Sequence, residues 1–456
     1  MKRSFAIVLT TIACMITLAA VNAAPGGRGA EQSAPVPTFS KDVAPILYKN
    51  CVGCHRPGEI GPMSLLTYDD ARPHAKAIRD EVGDRNMPPW HADPKYGTFA
   101  NDRRLSESDR ETLLRWVNNG APEGDKKDLP PVPKFTEGWM IGEPDLVLTL
   151  PKYTVPADGV VEYEYIEVPT NLTEDRWIRA LEVRPGNREV VHHVIVHTRT
   201  PQPERRPSAL AFADGMDVPS GQTGGAEGDE AKRKHGINRF PRPQRTGAAI
   251  GGFAPGTSTM TFEPGTAMLL RKGSTIVLQM HYTTNGKEAV DQTKVGFFFA
   301  KEPPKEEVRF ASLLNGNFVI PAGATDHSVS AEMTTTADVT LRRMLPHTHL
   351  RGKSWEYTAT YPDGRSEILL SVPRYDFNWQ TDYVFAQPLK LPKGTKIRAV
   401  AHYDNSVANK SNPDAKVDVR WGDQTWEEMM FTAFVYSIDN VAPGTVLPPA
   451  PARGNR

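Results

Sequence analysis

From about Glu143 to Val441, apolar and polar residues alternate with a period of two, and no long helical stripe interrupts them. Successive strand residues point to opposite faces, so this alternation predicts half-buried sheet over most of the chain. The first strands expected are Val147–Leu150, Val160–Val168, Trp177–Val183, Val190–Thr198 and Thr275–Tyr282. A second block follows from about Val308, with strands over Ser328–Leu345, Trp355–Tyr361, Thr395–Tyr403 and Met430–Ile438. The 40 prolines and 36 glycines supply turns. Strands so spaced predict a mainly β fold of two jelly-roll-like β-sandwich domains, 141–305 and 306–442. Residues 201–246, rich in Pro, Gly, Arg and Glu, are expected to form a mobile surface loop.

The N-terminus reads as an address. Lys2 and Arg3 precede the apolar run Phe5 to Ala20, and Val21-Asn22-Ala23 offers small residues for cleavage, so residues 1–23 are expected to be an export signal. A periplasmic or secreted protein follows. The alternatives are a single spanning anchor, for which the run is short of the ~20 residues a bilayer needs, and a lipoprotein modified at Cys14. Thr11 stands where lipoprotein signals carry Leu. No later segment is apolar enough to predict a membrane span. With 54 basic and 54 acidic residues, no net field favours nucleic acid or an anionic membrane as partner.

Residues 38–122 read instead as a small helical domain. Ser40 is the expected cap of a helix running through Val43, Ile46 and Leu47 to Cys51, and Ser106 the cap of a second that Gly120 stops. Between them, Cys51-Val52-Gly53-Cys54-His55 has the C-x-x-C-H form that attaches a c-type haem, two thiols making thioethers and His55 giving one axial nitrogen. A redox dithiol is the other chemistry this spacing allows. Helices around this motif predict an N-terminal cytochrome c domain carrying one covalent heme c. Met87, in Asn86-Met87-Pro88-Pro89, is the expected sixth ligand, with Met63, His74 and His91 as further options. Residues 123–140 predict a stiff Pro-rich linker.

The β portion carries a second set of metal-binding residue types. In His347-Thr348-His349, i and i+2 of a strand face the same way, close enough for two imidazoles to share a metal. His192 and His193 are adjacent and should face opposite sides, so joint ligation needs a bulge, a strand end or different ring nitrogens. His281, His402 and Met429 taken singly would be ordinary strand or core residues. His197 lies too far along the strand from His193 for simple chelation.

Together, Val191-His192-His193, Leu278-Gln279-Met280-His281-Tyr282, His347-Thr348-His349 and Glu428-Met429 resemble, in order, the motifs of the copper type II, ascorbate-dependent monooxygenases. These are the peptidylglycine α-hydroxylating and dopamine β-monooxygenases, and the chain looks like a bacterial branch with a fused cytochrome. The resemblance covers about residues 140–440. It implies two copper ions, one on His192, His193 and His281, the other, oxygen-activating, on His347, His349 and Met429. It also implies hydroxylation of a C–H bond of a small substrate with O2. An ascorbate-like reductant or a redox protein would be the external donor, with the haem passing on single electrons. Thioether sulfur favours Cu(I), and Met430 is the competing sulfur.

Departures from the family bear on the substrate. Leu345 stands two residues before the His-x-His pair, where the peptide-amidating branch has Arg, and Phe431 and Ala433 replace its Asn and Tyr after the methionine. A peptide carboxylate clamp is therefore not expected. The animal enzymes' disulfides have no counterpart, since Cys51 and Cys54 are the only cysteines beyond the signal. The competing class is a non-enzymatic haem and copper electron-transfer or copper-binding protein. A dioxygenase or peroxidase centred on the haem would need an open axial site.

Overall fold

Strands dominate, as the alternation predicts, and the computed structural model describes residues 35–136, 138–201, 209–212, 248–254, 259–422 and 424–446. The largest sheet has nine strands, in the order Leu146–Thr149, Lys294–Phe299, Arg176–Arg184, Thr266–Leu270, Glu306–Leu314, Phe431–Ile438, Val339–His347 and Tyr383–Leu391, with Thr259–Thr261 added beside Arg176–Arg184. A four-stranded sheet orders Glu164–Pro169, Thr275–Tyr282, Val191–Arg199 and Ala248–Phe253. A five-stranded one orders Ser366–Val372, Gly352–Thr360, Lys396–Tyr403, His327–Thr335 and Leu210–Phe212.

Two β cores result, each filled from two sheets. One draws Leu181, Val183, Val295 and Phe297 from the large sheet and Val194, Val196, Ile276 and Leu278 from the four-stranded one. The other draws Leu341, Met344 and Phe434 from the large sheet and Ala331, Tyr357, Ala399 and Ala401 from the five-stranded one. The stretch expected as one strand over Ser328–Leu345 is two, His327–Thr335 and Val339–His347, lying in different sheets. The short break at Thr336–Asp338 carries the chain from one layer to the other. Leu210–Phe212, inside the expected loop 201–246, is a strand paired with Met333–Thr335; the rest of that loop lies largely outside the described residues, as does the expected signal 1–23.

Helices occupy Phe39–Val43, Ala44–Asn50, Tyr68–Ala71, Ala75–Gly83 and Glu107–Asn118. Ser106 caps the last, its Oγ accepting from the Asp109 N–H at 3.1 Å. Ser40 does not cap the first. Thr38 holds that place, donating its N–H to the Asp42 carboxylate at 2.7 Å, while Ser40 is buried within the first turn. These helices close a third core around Phe39, Leu47, Leu113 and Trp116. No helix among the described residues is long and apolar enough to cross a membrane.

Residues 38–122 are not helical throughout. Trp90, Ala92 and Phe99 join the second β core. There the Ala100 N–H donates to Val384 O and the Ala386 N–H to Thr98 O, both at 2.8 Å, so this segment covers the edge strand Tyr383–Leu391. The expected linker is tied down at Phe135 and at Met140. Phe135 lies 4.0 Å beneath the Arg56 guanidinium, and the Met140 N–H donates to the buried Glu182 carboxylate at 2.8 Å. Accordingly Pro37–Arg456 forms one compact unit.

Candidate metal centre

Where Val191–Arg199 pairs with Thr275–Tyr282, His193 lies opposite His281 but Val191 lies opposite Tyr282. His192 is thus the extra residue of a β-bulge, the condition that joint ligation by adjacent histidines requires. The bulge brings three rings together, with centroids 5.4 Å apart for His192–His193, 4.9 Å for His192–His281 and 4.8 Å for His193–His281. His193 Nδ1 lies 3.1 Å from His192 Nδ1 and 3.3 Å from His281 Nδ1. Two nitrogens each ~2.0–2.1 Å from a tetrahedral ion sit roughly 3.3 Å apart, so this spacing suits three ligands of one ion. The three side chains can hold a metal.

Their protonation agrees. Burial pushes His192 down to about 4, and burial with the neighbouring imidazoles pushes His281 down to about 3 and His193 well below its ordinary value. All three are neutral Lewis bases near pH 7. Tyr163, itself buried, walls the cluster with its ring 4.8 Å from His281.

His347 ends the strand Val339–His347, and His349 lies just beyond it, the two ring centroids 5.1 Å apart. Each ring has one nitrogen occupied. His347 Nδ1 donates to Gln380 Oε1 at 2.9 Å, and His349 Nδ1 to the Glu427 carbonyl at 3.1 Å. Both therefore present Nε2 as a lone pair, and His349 Nε2 is buried without a hydrogen-bond partner. A buried imidazole nitrogen left open, with its other nitrogen pinned by a carbonyl, is free to take a ligand. Burial holds His347 at about 4 and His349 well below the ordinary histidine value.

Met429 joins this pair through its backbone. The Glu428 carboxylate accepts from the N–H of both His349, at 2.7 Å, and Met429, at 3.2 Å. Met430 is fully buried in the second core, while Met429 is partly exposed. Leu345 pairs with Ala433 and His347 with Phe431 across adjacent strands. These four side chains share one sheet face, so the partly exposed Leu345, Phe431 and Ala433 make an apolar floor beside His347.

Two residues that residue types alone do not single out complete the site. Gln380 orients His347. Phe377, buried, stands between the two histidine sets, its ring stacked on His192 at 5.4 Å and 5.9 Å from that of His349. Neither belongs to a motif, and only the fold brings the Tyr375–Gln380 loop to the site. His402 lies apart, paired with Asp326 at 3.2 Å, and His197 is not part of the triad.

In the helical part, the Cys54 and His55 N–H groups both donate to Cys51 O, so Cys51–His55 closes as a single turn. No disulfide joins the two thiols, and burial pushes Cys51 up to about 12. His55 Nδ1 donates to the Met63 carbonyl at 3.3 Å, leaving Nε2 open, and Gly61 packs so closely that a Cβ there would lie 2.8 Å from His55 Nδ1. Met63 packs its side chain against the third core. Met87 is partly exposed, and its N–H donates to Glu81 O at 3.2 Å. His74 lies in the short turn Arg72–His74, and His91 faces Asp376 and Arg374. Glu59 joins this turn to the β portion, accepting from Arg188 at 2.9 Å and from Arg56 at 2.8 Å.

No family model and no curated protein matches this chain. Among solved structures, a putative secreted protein from Eubacterium rectale matches at 11% identity over 60% of this chain and 69% of its own, with a TM-score of 0.18. The infectious bursal disease virus VP2 subviral particle matches at 9% identity over 66% and 74%, with a TM-score of 0.19. At that level of likeness neither bears on this chain's fold or chemistry.

Proposed function

We propose that the protein is an exported, copper-dependent monooxygenase that hydroxylates a C–H bond of a small substrate, with electrons supplied through a fused cytochrome c domain. The observation that carries the reading is the open, buried Nε2 of His349 beside the equally oriented His347, with a three-histidine cluster one phenyl ring away. The motif resemblance to the copper type II monooxygenases assigns the two sets. His192, His193 and His281 would hold one copper, and His347, His349 and Met429 the other. When bound, the coppers supply one-electron redox chemistry and oxygen activation, and the haem on Cys51, Cys54 and His55, with Met87 as sixth ligand, supplies single electrons.

The chain's own side chains do the rest. Glu427 O and Gln380 hold the His349 and His347 rings so that Nε2 faces the site. Phe377 packs its ring against His192 on one side and His349 on the other. Leu345, Phe431 and Ala433 offer apolar contact and no charge, which favours an apolar group on the substrate over a carboxylate. Each turnover takes O2, two electrons and two protons, and yields the hydroxylated product and one water.

Replacing His347 with Ala should abolish oxygen-dependent product formation and leave the haem spectrum intact. Retained turnover would sink the assignment. The near-complete burial of His349 and the seat of Phe377 favour a second reading, an electron carrier with no oxygen chemistry. Copper content measured with O2 uptake under a reductant separates the two, since a carrier would bind copper and consume no oxygen.

A further inference from the structure

The ladder between Val339–His347 and Phe431–Ile438 ends at the pair His347–Phe431. Carried two residues further, its register would place His349 opposite Met429. No ladder bond forms there. Instead the carboxylate of Glu428, fully buried, fastens the two chain segments. Its Oε2 accepts from the N–H of His349 at 2.7 Å and of Met429 at 3.2 Å, and its Oε1 from the N–H of Arg351 at 2.6 Å. The Arg351 guanidinium does not pair with this carboxylate and is turned to Asn405 Oδ1 at 2.8 Å and Trp426 O at 2.9 Å.

The surroundings admit little slack. Gly352 closes the 347–352 turn, its N–H donating to His349 O at 3.1 Å, so tightly that a Cβ there would collide with Thr348 Oγ1. The Tyr403 hydroxyl donates to Met429 O at 2.8 Å, so the methionine backbone is held at both its N–H and its carbonyl. A buried carboxylate is costly unless fully hydrogen-bonded. Here that cost goes into joining two segments 79 residues apart in the chain, where a backbone rung is missing.

We infer that Glu428 is the positioning residue of the His347, His349 and Met429 site, a side-chain rung that sets the methionine sulfur against the two imidazoles before any metal arrives. The inference rests on the proposed copper site. Its consequence is selective. Loss of the rung frees Met429 from His349 without touching His192, His193 or His281, which belong to another pair of strands.

The test is Glu428→Gln in the full-length protein, titrated with Cu(I) and examined by X-ray absorption. Gln keeps the size but replaces one acceptor oxygen with an N–H donor that faces backbone N–H groups. The expected result is one copper held as in the wild type, a second bound roughly 10- to 100-fold more weakly, and loss of the copper–sulfur contribution. Two coppers at wild-type affinity with that contribution intact would overturn the inference. A wild-type protein that binds one copper and shows no sulfur contribution would sink the site, and the inference with it. A second measurement needs no variant. In the metal-free wild type, hydrogen exchange at the His349, Arg351 and Met429 amides should be slowed as strongly as in the neighbouring strands. Free exchange there would also overturn a rung formed in advance of the metal.

Discussion

At the scale of single residues, the histidines of the site are held neutral by burial, and that has a price in acid. The folded-state values of His192 and His347, about 4, and of His281, about 3, lie below the ordinary ~6.5 of an unfolded chain. Between those values these imidazoles bind more protons in the unfolded state than in the folded one, and they outnumber the buried Glu428 carboxyl, which burial pushes up to about 7 and which acts in the opposite sense, so stability rises with pH. The metal-free protein should therefore be stable above about pH 6.5 and lose stability steadily as pH falls towards about 4. Urea midpoints measured across that range check it. A flat profile would mean that the imidazoles are better solvated than their burial implies. His193→Ala is expected to remove the metal of the triad alone, because its Nδ1 approaches both His192 Nδ1 and His281 Nδ1.

At the scale of elements, the strands with clean alternation were legible from sequence, and Thr275–Tyr282 has the expected bounds. The bulge at His192 was legible only as a condition, since alternation says that adjacent histidines diverge and cannot say where the ladder slips. Gln380 and Phe377 were not legible at all. They sit in a loop whose placement comes from Tyr375, bonded to Thr348 by its hydroxyl, and from Arg374, bonded to Arg85 O and Asn86. Ser40 misled as a cap because Thr38 and Asp42 compete for the same helix start. Trp90–Asn101 misled because its aromatic residues bury against another part of the chain, a tertiary effect that local pattern does not register. Phe99 packs its ring 5.3 Å from Phe385 and 5.4 Å from Tyr383. Phe99→Ala should lower stability by about 3–5 kcal/mol, read as a shift in the denaturant midpoint with unchanged slope. A cost below about 1 kcal/mol would mean that this segment merely lies on the edge strand.

At the scale of the whole molecule, the helical part and the β part pack as neighbours, although composition reads the segment between them as a stiff linker. Glu59, five residues after Cys54, meets Arg188, four residues before His192, in a partly buried ion pair. Such a pair fixes orientation more than it adds stability. If haem electrons reach the triad by this approach, Arg188→Glu should slow haem oxidation in the copper-loaded protein while copper content stays at the wild-type value. An unchanged rate would place the electron route elsewhere, for instance through the Trp90–Asn101 segment. The central claim, two separate copper sites on two histidine sets, is tested most directly by copper analysis of the wild type beside His193→Ala and His349→Ala. The account requires two coppers per chain in the wild type and one in each variant. In His349→Ala the remaining copper should show only nitrogen and oxygen ligands by X-ray absorption. Two coppers retained in His349→Ala, or a wild type that holds only one, would contradict it.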